Sequence, residues 1–241
     1  MWEAAATTSS GQTRVLRVLE AGYPEEDWES LVHMSIGRRD QQLLKLREQV
    51  VEEHLTVVGE CPQCQEAVEL ALSTRNLTAV GPDGEVDAKA SARSHQFRHG
   101  GMVIEFRLPD SADLDLLAGY QDVEAARSTL HDRCVLSATA SDGSSCARSE
   151  LPSDTQEALE AEMDRLDPLA VTQFALVCPA CRYQWLARLD LAEIVLAELT
   201  AEGRSLMRDV ADLARHYHWS EQSILAMSSR RRRGYLELAG A

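Results

Sequence analysis

Two copies of a CPxC motif contain the residues of this sequence that are best suited to chemistry. Strand-like segments flank both motifs: 54–58 and 67–72 flank residues 61–64, and 171–177 and 183–189 flank residues 178–181. Two cysteines on a turn between antiparallel strands can bring two thiolates to one metal ion, and two such turns supply the four sulfur ligands of a closed tetrahedral zinc site. The sequence therefore predicts one structural zinc ion, with these ligands: Cys61, Cys64, Cys178 and Cys181.

The distance between the two motifs along the chain is unusual for such a site. They are separated by 113 residues, far more than a compact zinc ribbon uses. Either a zinc ribbon carries a large insertion, or the two motifs are unrelated. Closing a loop of this length costs only ~4 kcal/mol, whereas a structural zinc site contributes roughly 10 to 16 kcal/mol at neutral pH. These magnitudes favour an insertion, so we expect the metal to join two distant parts of the sequence.

A redox-active pair, as in thioredoxin-like proteins, is the alternative for either motif. Such a pair opens a helix within a βαβ unit, and neither motif here is followed by a helical pattern, which favours metal binding. Zinc knuckles often place glycine just after the second cysteine, where φ can be positive. The residues at those positions are Gln65 and Arg182, so this sequence departs from the usual turn pattern.

Other cysteines and histidines are weaker candidates for chemistry. Cys134 falls on the apolar face of a predicted helix and is expected to be a buried core residue, while Cys146 lies in a loop rich in Ser and Gly. A catalytic role for either thiol would need a paired base, and His131 is the only local candidate. His95 and His99 flank a predicted hairpin, but four cysteines already satisfy zinc, so we do not expect them to be ligands.

Charge and hydropathy limit the classes of partner. The net charge of −15 and the pI near 4.9 make nonspecific attraction to nucleic acid or to an anionic membrane unfavourable. No secretory signal pattern and no apolar run of about 18 residues is visible. We therefore expect a cytoplasmic protein that binds other proteins or small molecules and keeps its thiols reduced, a setting in which CxxC pairs are typically metal-binding or catalytic.

The periodicity of apolar residues predicts an α+β fold that is mainly helical, with a split zinc-ribbon-like β core and a β-hairpin in the insertion. The hairpin is expected at 95–98 and 102–108 around Gly100-Gly101, and the connection at 77–92 is polar. Four parts of the chain follow: a disordered start at 1–13, N-terminal helices at 14–54, the zinc-ribbon-like core with its helical insertion at 55–190, and C-terminal helices at 191–241.

Capping residues mark several predicted helix starts. Ser35 is expected to cap a helix whose apolar face includes Val50 and whose charged residues, among them Arg39, Asp40 and Arg47, form a solvated face. An earlier short helix is predicted at 24–34. Residues 153–156 form a predicted capping box, Asp190 is expected to open a long helix that reaches residue 217, and Ser220 and Ser229 are expected to cap two short final helices.

The sequence Ser35-Ile36-Gly37-Arg38-Arg39-Asp40, followed by LLKLR at 43–47 and a CPxC motif, resembles the T-even-type baseplate hub assembly chaperone family. The second CPxC motif, the helix after it and the segments 217–221, 224–226 and 231–238 are similar to the branch that occurs with contractile phage-tail-like extracellular injection systems. The resemblance covers most of the chain apart from residues 1–13 and 136–150. It implies an assembly chaperone or baseplate-associated adaptor, with baseplate hub or spike proteins as partners.

The residues agree with a non-enzymatic protein. A zinc ion with four sulfur ligands has no open position to activate water, and the sequence contains no HExxH, Gly-rich phosphate loop or GxSxG motif. Two other hypotheses remain open at this point. One is a zinc-ribbon regulator that binds nucleic acid through the four arginines at 230–233, although this is the only strongly basic run, and the other is a thiol redox enzyme.

Overall fold

Helices and short antiparallel strands alternate along the chain in a computed structural model, which describes residues 10–51, 54–74, 77, 94–147 and 151–240. The helices of these residues are α1 (Gly11–Gly22), α2 (Trp28–Val32), α3 (Ile36–Glu48), α4 (Ser111–Leu117), α5 (Val123–Cys134), α6 (Ser153–Leu166), α7 (Leu191–Tyr217), α8 (Glu221–Leu225) and α9 (Ser229–Ala239). The strands are β1 (His54–Glu60), β2 (Ala67–Ser73), β3 (His95–His99), β4 (Met102–Phe106), β5 (Val135–Ala140), β6 (Thr172–Val177) and β7 (Gln184–Leu189). Residues 78–92 of the predicted connection at 77–92 and residues 1–9 of the predicted disordered start at 1–13 lie outside the described residues, whereas residues 11–13 belong to α1.

The strands form three small antiparallel sheets, which confirms the predicted α+β class. Strands β1 and β2 pair around the first CPxC motif, and β6 and β7 pair around the second. The predicted hairpin of the insertion is present as β3 and β4, with Gly100 and Gly101 at φ 56° and 79°, as a type I′ turn requires. Strand β5 was not predicted. It follows α5 without a loop and pairs with β4, and its buried side chains Val135 and Ala138 complete the inner face of that sheet.

Three groups of buried apolar side chains hold these elements together. The largest joins α1, α2 and α3 to the first third of α7 and to the inner faces of the two CPxC hairpins. A second lies in the insertion, between the β3–β4–β5 sheet and α6. The third joins the C-terminal part of α7 to α8 and α9. Both CPxC hairpins therefore share one core although they come from distant parts of the sequence.

Helix α3 begins differently from the prediction. Ser35 makes no capping hydrogen bond through its side chain. Instead, the carboxylate of Asp167, which follows α6, accepts a hydrogen bond of 2.8 Å from the backbone N–H of Gly37. The approach is so close that a Cβ on Gly37 would lie 2.3 Å from an Asp167 oxygen. The helix also ends at Glu48, so Val50 is not on its apolar face and is 43% exposed.

Three other predicted helix starts are corrected. The second helix begins at Trp28 and not at residue 24, because Asp27 caps it by accepting from the N–H of Ser30. The predicted capping box at 153–156 is absent: Pro152 precedes α6, and the Gln156 amide donates to the carbonyl of Leu151. Helix α9 is capped by Ser228 and not by Ser229. The capping roles predicted for Asp190 and Ser220 are confirmed.

Candidate metal centre

The four cysteines of the two CPxC motifs lie together. Cys61 Sγ is 3.7 Å from Cys181 Sγ, Cys64 Sγ is 3.6 Å from Cys178 Sγ, and all four sulfur atoms lie within 4.8 Å of one another. A tetrahedral zinc ion with Zn–S bonds of ~2.3 Å would separate its sulfur ligands by about 3.8 Å. The separations are far too long for a disulfide bond, whose S–S length is about 2.05 Å. The cluster therefore fits a four-coordinate metal ion, with Cys61, Cys64, Cys178 and Cys181 as its ligands.

The two CPxC turns have the same backbone geometry. In the first turn, the N–H of Cys61 donates to the carbonyl of Glu66, and the N–H of Gln65 donates to the carbonyl of Cys61, both at 2.9 Å. The second turn repeats these bonds at the equivalent positions around Cys178, at 2.9 and 3.0 Å. Each pair of bonds closes the ends of its hairpin and directs both cysteines of the motif to the same side. The two turns thus contribute two sulfur ligands each.

The residue after each second cysteine has a left-handed backbone. Gln65 has φ of 60° and Arg182 has φ of 64°, although neither is glycine. A side chain in this conformation costs roughly 1 to 2 kcal/mol because its Cβ approaches the following carbonyl oxygen. The departure from the usual knuckle sequence therefore leaves the turn geometry unchanged, and these two positions carry backbone strain that glycine would relieve.

The cluster lies at the edge of the main core. The first cysteine of each motif, Cys61 or Cys178, is buried, whereas Cys64 and Cys181 are exposed. The N–H of Cys181 points at Cys178 Sγ at 3.5 Å and is the largest cause that lowers the pKa of that thiol to about 7. The backbone N–H of Glu66 lowers the pKa of Cys64, but hydrogen bonding with Cys181 and the other thiols, together with desolvation inside the cluster, outweighs this effect and raises the value to about 12. Because the negative charges of neighbouring thiolates repel one another, four thiolates at these distances need a cation at their centre.

The other cysteines and histidines lie outside this cluster. Cys134 is fully buried, as predicted, and burial raises the pKa of its thiol to about 12, which leaves it protonated at neutral pH. Cys146 packs partly against the core of the insertion. His131 Nε2 lies 2.7 Å from a carboxylate oxygen of Glu160. His95 and His99, the two histidines that flank the predicted hairpin, lie at the two ends of β3.

Sequence reasoning missed a buried group of charged side chains around α3. Arg39, Asp40 and Arg47 were predicted on a solvated face, but they are 3%, 5% and 0% exposed. Arg39 bonds to Asp40 at 2.7 Å, and Arg47 forms an ion pair with Glu198 of α7. The prediction was wrong because two of the partners lie far away in the sequence: Ser111 for Arg39, at 72 residues, and Glu198 for Arg47, at 151 residues. The GRRD motif itself was the signal that could have indicated these buried charges.

Beside this group, another ion pair fixes the start of α4. Arg107 donates two hydrogen bonds to the carboxylate of Asp113, at 2.6 and 2.8 Å. Asp113 and Asp110 also form a capping box, since each side chain accepts from the backbone N–H of the other residue. Burial opposes the ionised form of Asp113, but the bonds from Arg107 and Arg133 lower its pKa to about 2. The side chains of Arg107, Asp110, Asp113 and Arg133 are paired with one another, as expected of charges that stabilise the fold.

The fold and the cluster define a class of protein. It is an α+β chain in which two CPxC hairpins meet at a four-cysteine cluster suited to a metal ion, and an insertion of helices and a β-sheet lies between the two hairpins in the sequence. A family model described as T4 bacteriophage base plate protein matches residues 4–198. This match covers most of the chain, which therefore belongs to that baseplate family. No curated protein and no solved structure matches the chain. In the part of the chain that the structure describes, no helix is both long enough and apolar enough to cross a membrane.

Proposed function

We propose that this protein is a non-enzymatic, zinc-stabilised component of baseplate assembly in a contractile phage tail or a phage-tail-like injection system. It acts as an assembly chaperone or adaptor that binds hub or spike proteins in the bacterial cytoplasm. The observation that carries the proposal is the family match over residues 4–198. The resemblance of the second CPxC motif, the helix after it and the C-terminal block to the injection-system branch supports the finer assignment.

Zinc is the metal we propose for the cysteine cluster. Four thiolates at tetrahedral spacing form a soft ligand set, which zinc occupies in structural sites. A metal ion with four protein sulfur ligands has no position for water or substrate, so the site would stabilise the fold without catalysing a reaction. The role of the ion is to hold the two hairpins together.

An exposed apolar surface next to this centre supports a role in protein binding. The outer face of the second CPxC hairpin carries Val177 and Leu186, which are 49% and 66% exposed, and Tyr183 at its end is 43% exposed. Leu186 lies opposite Ala175 in the strand register, so small and large apolar side chains are adjacent on this face. Neighbouring exposed apolar residues on a hairpin are typical of interaction surfaces.

A pull-down from cells that express the whole gene cluster tests the proposed function. We expect the tagged protein to retain a hub or spike protein, and Leu186→Glu to weaken this capture because it places a charge on the apolar hairpin face. Leu238→Glu, which changes an exposed leucine in the last helix, is the matched control.

Deletion of the gene should also reduce the number of assembled particles seen by electron microscopy. Normal numbers of complete particles after deletion would rule out the assembly role.

A further inference from the structure

The second CPxC hairpin leaves one edge of each of its strands, β6 and β7, without a neighbouring strand. It is a sheet of two strands, and among the described residues no other strand or helix runs along either edge. In an antiparallel pair, every second residue directs its backbone N–H and C=O groups to the partner strand, and the residues between direct theirs outward. Each edge of this hairpin can therefore pair with one more strand.

A hydrogen bond at the turn shows which residues of β7 face outward. The N–H of Cys178 donates to the carbonyl of Tyr183 at 2.9 Å, so this pair faces inward. From there the register of β6 with β7 continues without a bulge. The backbone groups of alternate residues of β7 therefore point away from β6: Gln184, Leu186 and Arg188. All three side chains are exposed, and that of Leu186 most clearly, at 66%.

Strand β7 is complementary to itself along this edge. Two copies of β7 can pair antiparallel about a two-fold axis at Leu186, which then lies opposite Leu186 of the second copy. The same register places Gln184 opposite Arg188 of the second copy, so no like charges meet. Each of these residue pairs can exchange both backbone hydrogen bonds. The two exposed leucines would cover each other at the centre of the contact.

The residues beyond the two ends of β7 add charge complementarity. Arg182 lies four residues before Leu186 and Asp190 lies four residues after it, and both are exposed. The two-fold axis at Leu186 therefore brings Arg182 of each copy to Asp190 of the other. Opposite charges at both ends favour this register and the antiparallel direction.

The other three strands of the two CPxC hairpins lack this combination. The outward residue at the middle of β2 is Glu69, which would lie opposite its own copy and repel it. The corresponding residue of β6, Ala175, is small and covers little apolar surface. In β1 it is Val58, which is 65% exposed, but this strand has no arginine or lysine that could pair with Glu60. The edge of β7 is therefore the best suited of the four.

We propose that β7 pairs with β7 of a second copy of this chain and forms a two-fold dimer with a continuous four-stranded sheet, β6–β7–β7–β6. The occupant of the edge must be an extended strand, because a row of backbone N–H and C=O groups requires one. The dimer places the apolar outer faces of two hairpins side by side in one sheet. This self-association does not depend on the proposed baseplate function.

Sedimentation velocity of the purified full-length protein at about 5 to 500 μM tests this contact. We expect dimers that increase with concentration and no larger species, since a two-fold contact is closed. Leu186→Lys should weaken dimerisation at least ~10-fold, because it places two positive charges opposite each other at the two-fold axis. Ala175→Lys is the matched control: it changes the residue opposite Leu186 on β6 and should leave dimerisation unchanged.

A second variant tests the ends of the strand. Arg182→Asp should weaken dimerisation ~5-fold or more, because it brings an acid to Asp190 of the second copy. Gln65→Asp is its control, since Gln65 has the same left-handed backbone in the first CPxC turn. Aspartate tolerates this conformation, so both variants should fold. Circular dichroism and metal content of each variant verify folding.

Amide hydrogen exchange measured by NMR distinguishes edge pairing from stacking of the outer faces. The outward N–H groups of β7, at Gln184, Leu186 and Arg188, should exchange more slowly as the protein concentration rises. Those of β6, at Gln173 and Ala175, should remain fast. A wild-type protein that stays monomeric at all concentrations, dimers that Leu186→Lys does not weaken, or exchange at Leu186 that does not change with concentration would overturn the proposal.

Discussion

The buried charges of α3 show how single residues acquire a role that their local sequence does not indicate. Asp40 packs beside Arg39 and is 5% exposed. Burial raises its pKa to about 6, and the attraction of Arg39 lowers the value only in part, while Asp190 and Asp167 add to the increase. The folded protein therefore binds a proton on Asp40 more tightly than the unfolded chain, in which its pKa is near 3.8.

This shift predicts a pH dependence of stability. The contribution of Asp40 to the free energy of unfolding is fully present below about pH 4 and is lost as the pH rises through about 6. Asp40→Asn cannot ionise, so its stability relative to the wild type should increase by about 1 to 2 kcal/mol between pH 5 and pH 7.5. Urea unfolding at the two pH values measures this difference.

The change in shape and hydrogen bonding at residue 40 in Asp40→Asn is common to both pH values and cancels in that comparison, whereas the attraction between ionised Asp40 and Arg39 is already included in the pKa of about 6. Asp164→Asn, which changes an exposed carboxylate on α6, is the control and should show no such increase. A constant stability difference between Asp40→Asn and the wild type across the pH range would show that Asp40 is ionised throughout.

The residues after the second cysteines carry strain that substitution can relieve. Arg182 has φ of 64°, and glycine adopts this conformation without the penalty of a Cβ. Arg182→Gly should therefore raise the free energy of unfolding by roughly 0.5 to 1 kcal/mol, as measured by urea unfolding of the metal-bound protein. Ala180→Gly, at a residue of the same turn without positive φ, should lower it. Destabilisation by Arg182→Gly of the same size as by Ala180→Gly would contradict the turn geometry.

At the scale of elements, helix α3 is joined to the segment after α6 by a close contact at Gly37. The contact leaves no space for a methyl group, since a Cβ would lie 2.3 Å from Asp167 and 2.8 Å from the backbone of Ala170. Gly37→Ala should therefore lower the free energy of unfolding by about 2 kcal/mol or more, in spite of the higher helix propensity of alanine.

A second helical glycine provides the matched control for Gly37. Gly234 lies in α9, and a Cβ there would meet nothing within 4 Å. Gly234→Ala should raise the free energy of unfolding by roughly 0.5 to 1 kcal/mol through helix propensity alone. Chemical denaturation of both variants compares the two effects. If Gly37→Ala were as stable as Gly234→Ala, α3 and Asp167 would not be in close contact.

The elements also show which parts of the structure were predictable. The two CPxC hairpins and the Gly100-Gly101 hairpin follow from local spacing, because ligand chemistry and turn conformation depend on adjacent residues. The cap of α3 was missed because Asp167 is 130 residues away from Gly37. Arg47 was placed in solvent because its partner Glu198 is 151 residues away. Local periodicity contains no information on such pairs.

At the scale of the whole molecule, the cysteine cluster joins parts of the chain that are separated by the entire insertion. The hairpins on either side of it contribute to one core with α1, α3 and α7, whereas the insertion has a core of its own. A metal ion at this point would fix the position of both hairpins, and with them the apolar face that we propose for partner binding. The family match describes a baseplate protein, and this arrangement supports our proposal that it acts by presenting surfaces to its partners.

The most direct test of this account is the metal content and thermal unfolding of purified wild-type, Cys178→Ser and Cys146→Ser proteins. We predict one zinc ion per chain in the wild type and in Cys146→Ser, whose substitution lies outside the cluster. Cys178→Ser should lose the ion, and its unfolding midpoint should fall by roughly 10 °C or more, or no cooperative transition should remain. A wild-type protein without bound metal, or a Cys178→Ser protein with an unchanged midpoint, would contradict the account.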